Sequence, residues 1–262
     1  MKHNRIIRRE FSKQATRFGD KGLTLSSQDI LNWIVETLPL DQDLRVLDVA
    51  AGTGHLSRAI APFVQAVIAM DITREMLNQA HDGNAKSKLA NIFLQEGSAE
   101  YLPYETNTFD FVTSRLSIHH FENSIVQLRE MVRVCKPSHK IGIIDLLSPD
   151  DEKISETYNR LERLRDPSHT VALSRKQMES MLAEVGISVE KIELRDVEVD
   201  LQRWVEMTET KIETAKVIRE ELRKDIDGGS PTGMRPFMKN RELKFLQVWS
   251  VIVGTKVSSQ SV

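Results

Sequence analysis

The thirteen residues Arg45 to Ser57, RVLDVAAGTGHLS, constrain this chain more than any other stretch. Val46, Leu47 and Val49 are β-branched or apolar and predict a short strand, Ala50 to Gly54 predict a small-residue turn, and the residues from Leu56 to Phe63 predict a helix. Small side chains let main-chain N–H groups approach a ligand, and the helix N-terminus adds partial positive charge. A glycine-rich strand-to-helix turn by itself is weak evidence, because many α/β proteins use one for structural reasons alone.

The residues after the turn narrow the choice. Ala66 to Met70 predict a second strand that ends in Asp71, so strand, helix and strand form a βαβ unit, expected to be parallel and right-handed. Asp71 then falls at the carboxyl end of the strand beside the first, where a carboxylate can accept hydrogen bonds from both ribose hydroxyls of a nucleotide. The plainer reading is an N-terminal charge for the helix from Thr73 to Ala80. A third strand is expected over Asn91 to Gln95, a fourth over Phe109 to Ser114, and a fifth over Ile141 to Leu147, with a helix from about Asn123 to Cys135 stopped by Pro137. The fifth strand lacks polar alternation, as expected of a strand covered on both faces.

The flanking segments read as helical. The first twenty-one residues carry seven Lys or Arg against two acids, and Ile7, Phe11, Ala15 and Phe18 recur at helical spacing. Three readings stand side by side: a solvated face over a packed stripe, a lid over a ligand, or a transit or membrane-surface peptide. A second helix is expected from Ser26 or Ser27 to Leu38, and Pro149 opens an acid-led helix to about Leu164. Ser174 to Gln177 form a capping box for a further helix, which Gly186 closes. Ile187 to Val199 predict a strand, residues 204 to 226 a helical insertion with one apolar stripe, residues 227 to 233 a turn-rich loop, Phe245 to Gly254 the last strand, and residues 258 to 262 a frayed polar tail.

Length and charge exclude some classes. The 262 residues suit one large α/β domain, read as a helical lid over 1–40 and a main domain over 41–262, with substrate-cap segments at 148–170 and 200–240. A net charge of −2 offers no global attraction to nucleic acid or anionic lipid, so a small or neutral substrate is expected. The single cysteine, Cys135, excludes an intramolecular disulfide framework and suits a reducing cytoplasm. No apolar run reaches the length of a membrane span, and no Cys or His cluster has metal-ligand spacing. The expectation is a cytoplasmic monomer or homodimer without a structural metal.

Taken in order, Val46-Leu47-Asp48-Val49-Ala50-Ala51-Gly52-Thr53-Gly54, Asp71, Gly97-Ser98-Ala99-Glu100-Tyr101-Leu102-Pro103, Phe109-Asp110-Phe111-Val112 and Val134-Cys135-Lys136-Pro137 resemble the Rossmann-like S-adenosylmethionine-dependent methyltransferases. Within them the chain most resembles the small-molecule branch that includes ubiquinone and menaquinone biosynthesis C-methyltransferases, over residues 40 to 150. The resemblance implies an α/β fold with a seven-stranded, mostly parallel sheet whose last strand is antiparallel and lies between the fifth and sixth. It implies S-adenosylmethionine as cofactor and S-adenosylhomocysteine as product. It places the methionine part against Asp48, Ala50, Gly52 and Gly54, the ribose on Asp71, the adenine near Ile72, Met76, Ser98 and Ala99, and Arg115 beside the methionine end. Two positions depart from the pattern: Ser98 stands where the family usually has Asp, and Ser138-His139 stand where it usually has Gly-Gly.

Methyl transfer from a sulfonium is an in-line displacement on an activated carbon, so the protein must align, exclude water and, for many acceptors, remove a proton. His119 and His120 follow the fourth strand and are candidate bases or orienting groups; Asp145 and His169 are further candidates. For each the alternative is a structural role, a histidine serving backbone groups at a helix start or a helix-ending turn at Arg165 to His169. Trp204, Phe11 and Phe18 are candidate pocket walls, with core packing as the alternative. A non-catalytic cofactor-binding or partner-binding module is the rival reading. A nicotinamide oxidoreductase is disfavoured because Gly52-Thr53-Gly54-His55-Leu56-Ser57 ends in Ser where G-x-G-x-x-G/A is wanted.

Overall fold

The computed structural model describes residues 2–17 and 24–257. Phe18 and the tail 258–262 lie outside the described residues. The strands are β1 (Arg45–Val49), β2 (Ala66–Asp71), β3 (Ile92–Glu96), β4 (Phe109–Arg115), β5 (Cys135–Leu147), β6 (Ile187–Asp200), β7 (Phe237–Lys239) and β8 (Glu242–Lys256). They form one sheet in the order β3-β2-β1-β4-β5-β8-β6. β1 through β5 pair in parallel, while β8 runs antiparallel between β5 and β6. The expected architecture is thus present, with an eighth strand added.

That addition has a local cause. β7 pairs with β8 through Lys239↔Glu242, leaving the two-residue turn Asn240-Arg241 with φ of 53° and 66°. Two consecutive left-handed residues are the geometry of a tight hairpin turn, and Asn tolerates it better than most side chains. No glycine marks the turn, which is why sequence patterning passes over it. β5 also starts earlier than its apolar run. Cys135 pairs with Phe109, and the ladder resumes at Lys140↔Phe111 after an irregular segment holding Pro137 and Ser138, the latter at φ 61°.

The helices are α1 (Lys2–Gln14), α2 (Gln28–Thr37), α3 (His55–Ile60), α4 (Arg74–Ser87), α5 (Ser124–Val134), α6 (Glu152–Arg165), α7 (Arg175–Glu184), α8 (Leu201–Met207) and α9 (Ile212–Ile226). The α7 capping box forms as its sequence predicts. On one face of the sheet α2, α3, α6, α8 and α9 contribute Ile34, Ile60, Tyr158, Trp204 and Leu222 to a cluster with Val46, Phe111 and Ile144. On the other, α5 and α7 contribute Leu128, Met131 and Leu182 against Leu47, Val112 and Ile143. Alternate strand residues feed the two faces, and each large side chain so buried stabilises the fold by roughly 1.5–3 kcal/mol. The stripe expected across 204 to 226 is broken between α8 and α9, and Ile212 is left 66% exposed at the start of α9. All parallel strands end at one edge of the sheet, and the site is built there.

Candidate active site

The turn after β1 is held in a shape few residues adopt. Ala50, Gly52 and Gly54 have φ of 56°, 56° and 77°. Two of these are glycines, for which the conformation carries no Cβ penalty; Ala50 bears a cost on the order of 1–2 kcal/mol. The compensation comes from β2. The Gly52 amide donates to Asp71 Oδ2 at 2.8 Å, the Thr73 amide donates to Asp71 Oδ1 at 2.8 Å, and the Ala51 amide donates to the Met70 carbonyl at 2.9 Å. Burial raises the Asp71 pKa, opposed by the amides of Thr73 and Gly52. Each carboxylate oxygen keeps a second lone pair. A Cβ on Gly52 meets no atom within 4 Å, so the turn is open there, whereas one on Gly54 meets Arg58 Nη1 at 3.0 Å and Ala80 Cβ at 3.3 Å.

A cavity of about 110 Å³ opens over this turn, and Ala50, Gly52, Asp71, Ile72 and Met76 line it together with Ser98, Ala99 and Arg115. Of the ten residues assigned to the cofactor, Asp48 and Gly54 are not in its wall. Gly54 begins α3 and packs inward. Asp48 lies fully buried under the turn, where Oδ2 accepts the Ser57 hydroxyl at 2.5 Å and Oδ1 has no partner. Burial pushes its carboxyl up to about 7, against the Ser57 hydroxyl and the Arg115 charge. The Ser98 hydroxyl accepts the Glu100 amide at 3.3 Å, which ties it into its own turn.

Arg115 ends β4 with its guanidinium buried. Nη2 donates to the Leu25 carbonyl at 2.9 Å, Nε has no partner, and the group lies 5.4 Å from the Trp249 ring centroid. Desolvation pulls its pKa down to about 10, opposed by Asp48. Leu116 follows at φ 53°, its amide bonded to the Ile144 carbonyl at 2.7 Å, and the chain turns sharply into a short 3-10 helix, Ile118–His120.

That 3-10 turn gathers the histidines. The His119 and His120 rings lie 4.2 Å apart between centroids, and His169 lies 5.4 Å from His119 and 6.4 Å from His120. His119 Nδ1 hydrogen-bonds Asp145, whose oxygens also accept the amides of Ile118 and Leu146 at 2.8 Å each. Burial disfavours charge on His119, but the Asp145 carboxylate outweighs it and the pKa is raised. His120 is pushed the other way, to about 3, by burial and by the His119 charge. Burial likewise lowers His169, and His119 and His120 add to the effect.

The hydrogen bonds fix which nitrogens carry protons. The Ser168 hydroxyl donates to Asp166 Oδ1 at 2.5 Å, so it must accept from His120 Nδ1–H at 3.1 Å. His120 Nε2 is therefore the nitrogen that carries the lone pair. Asn159 Oδ1 accepts the Ala172 amide at 2.6 Å and His169 Nε2–H at 2.8 Å, leaving the His169 Nδ1 lone pair. Asp145 sits at 0% exposure behind His119, and acts by holding it. Among the described residues no group of three His, Cys, Asp or Glu is arranged to hold a metal ion.

A second cavity of about 830 Å³ lies beside the first, walled by His119, His120, His169, Glu162 and Asp166 and by Phe11, Trp204 and Trp249. The two cavities share Phe11, Leu25, Leu116 and His120. α1 covers both: the His3 side chain bonds the His120 carbonyl at 2.8 Å, Asn4 donates to Glu100 at 3.0 Å, Ser12 donates to Glu75 at 2.9 Å, and the Phe11 ring meets His120 edge-on at 4.9 Å. Ser168 and Gln14 belong to the site although nothing in the local sequence singles either out; only long-range contact brings Ser168, 48 positions away, to His120.

A glycine turn held by an acid from the neighbouring strand, on a mostly parallel sheet with β8 turned back between β5 and β6, defines the Rossmann-like class of methyltransferase. Comparison with known proteins agrees. Residues 46–138 match a family model described as a methyltransferase domain. The chain is 31% identical over 208 residues to the uncharacterized methyltransferase YcgJ of Bacillus subtilis, covering 79% of this chain and 82% of that one. The crystal structure of YcgJ superposes with a TM-score of 0.80 at 27% identity, over 89% of this chain and all of the other. A ubiquinone/menaquinone biosynthesis C-methyltransferase of Saccharophagus degradans is 33% identical over 120 residues, 44% of this chain and 48% of that protein. The chain belongs to the S-adenosylmethionine-dependent methyltransferases. Among the described residues no helix is long and apolar enough to cross a membrane.

Proposed function

We propose that the protein transfers a methyl group from S-adenosylmethionine to a small-molecule acceptor held in the 830 Å³ cavity, with His120 Nε2 taking the acceptor's proton. The carrying observation is the junction: the cavity over the glycine turn and the cavity of the histidines meet at Phe11, Leu25, Leu116 and His120. When bound, the cofactor supplies a methyl group already activated for displacement.

The residues present suit it. Asp71 has lone pairs left for ribose hydroxyls, Gly52 leaves its side-chain volume empty, and Arg115 Nε is a buried donor without a partner. Ile72 and Met76 supply an apolar wall for the adenine, and Ser98 and Ala99 its edge. Asp48 and Gly54 support the turn from beneath and from within.

The chain's own work is alignment and proton removal. Asp166, through Ser168, keeps the His120 lone pair on Nε2, and burial together with the charge favoured on His119 keeps His120 neutral, so that the lone pair is free. His169 presents Nδ1 as a second acceptor in the same chamber. Residues 1–40 act as the lid and segments 148–170 and 200–240 as the cap; α1, α6 and α8 all contribute to the wall. A concave chamber partly covered by a helix suits a small molecule better than a polynucleotide, as does the net charge of −2.

Incubation with methyl-labelled S-adenosylmethionine and fractionated small metabolites tests this reading. Label is expected in a low-molecular-weight product with wild type, and transfer is expected to fall in His120→Ala without loss of S-adenosylhomocysteine binding. Label found only in polynucleotide or protein, or wild-type transfer by His120→Ala, would overturn the acceptor or the base assignment respectively.

A further inference from the structure

One group in the acceptor chamber has no role in alignment or proton removal. Gln14, in the last turn of α1, is 2% exposed, and both its amide oxygen and its amide nitrogen are buried without a hydrogen-bond partner. The residue lies in the wall of the 830 Å³ cavity. A buried amide left unpaired destabilises a fold, and a protein interior seldom retains one that nothing satisfies. Here a donor and an acceptor are left open together.

The placement on α1 adds a direction. Ile7 lines the cavity over the glycine turn, Phe11 lines both cavities, and Gln14 lines only the acceptor chamber. Spacings of four and three put them on one stripe of the helix. Gln14 thus stands about one turn, roughly 5 Å along the axis, beyond the ring that touches His120. A group gripped there lies beside the junction where the proton and methyl group change hands.

Resting on the methyl-transfer reading, we propose that Gln14 is an acceptor-recognition residue. It pairs through both amide atoms with a neutral, planar edge in which a carbonyl stands beside an N–H or O–H, as in a carboxamide, a lactam or a protonated carboxyl. A primary amide presents one donor and one acceptor in a plane, and that edge is its two-point complement. The chamber's aromatic lining agrees: Phe11, Trp204 and Trp249 offer walls for a flat ligand.

Benzamide, which carries the whole edge, and N,N-dimethylbenzamide, which keeps only the carbonyl, serve as probes on S-adenosylhomocysteine-loaded protein, followed by saturation-transfer NMR titration. Wild type is expected to bind benzamide at least tenfold more tightly than the dimethyl analogue, and Gln14→Met to bind benzamide at least tenfold more weakly, without discrimination. The Tm of unliganded Gln14→Met is expected to equal or exceed that of wild type, because an unpaired amide has been removed. Equal benzamide affinity in the two proteins, no benzamide binding to wild type, or a Tm drop of more than about 4 °C in Gln14→Met would each overturn the proposal. Failure of S-adenosylhomocysteine to bind wild type would instead sink the methyl-donor reading, and the same probe comparison on unliganded protein would still decide the role of Gln14.

Discussion

The Gly52 amide donates to Asp71 Oδ2 at 2.8 Å, so the turn after the first strand is fastened by the acid that ends the second. One carboxylate therefore both shapes the turn and faces the cavity. Asp71→Ala is expected to weaken S-adenosylhomocysteine binding by 100-fold or more by calorimetry, about the loss of two hydrogen bonds to a charged group. Asp71→Asn, which keeps one oxygen, should lose less. Undiminished affinity in Asp71→Ala would remove the ribose assignment.

Gly52 is open on the side where a Cβ would project, and its φ is 56°. Gly52→Val both strains the turn and fills the cavity. Circular dichroism is expected to show a retained fold while cofactor affinity is lost. Global unfolding, or wild-type affinity, would contradict the placement.

Ser168 relays Asp166 to His120. His120→Ala is expected to cut turnover by roughly 10²–10⁴-fold, the range for a general base. Ser168→Ala leaves the imidazole free to adopt the other tautomer and should lower kcat by about tenfold, with KM for the cofactor unchanged. Its pH–rate profile should also move, because His120 loses its hydroxyl partner. An unaltered kcat and profile in Ser168→Ala would refute the relay.

Acid stability carries the signature of the buried histidines. An unfolded imidazole binds its proton below about 6.5, whereas folded His120 does so only near 3. The unfolded state thus takes up more protons as pH falls through that window, and the folded state loses stability. His169 acts in the same direction, and His119, with its raised pKa, in the opposite one. Tm is expected to fall between pH 6.5 and 4.5, and to fall less in His120→Gln. An equal slope in both proteins would contradict a buried neutral His120.

Asp48 works with the other sign. Its folded pKa, about 7, stands above the unfolded carboxylate value, so the group favours the folded state at low pH and this contribution is lost as pH rises from about 4 to 7. Asp48→Asn should be relatively more stable at pH 8 than at pH 4, compared with wild type in thermal unfolding. A pH-independent difference would show that desolvation of Asp48 is not the cause.

Local pattern reveals part of this molecule and tertiary contact the rest. The strand, turn and helix at Arg45 to Ser57, the acid Asp71, and the reversal of Phe245 to Gly254 between β5 and β6 were legible, the first two because their residue types answer backbone demands, the last through family resemblance. The Asn240-Arg241 hairpin was not, since its turn lacks the usual glycine. Nor was the division of labour among the histidines. His119 and His120 are adjacent in sequence, yet one meets Asp145 and the other Ser168, partners 26 and 48 positions away, and these set opposite charge preferences. Gln14 gave no signal at all, because what distinguishes it is a missing partner.

The helix that carries Ile7, Phe11 and Gln14 roofs both chambers. One helix thus forms a wall common to two compartments, and Phe11 stands at their boundary against His120. Crowding or emptying that single position changes the shape of both compartments at once.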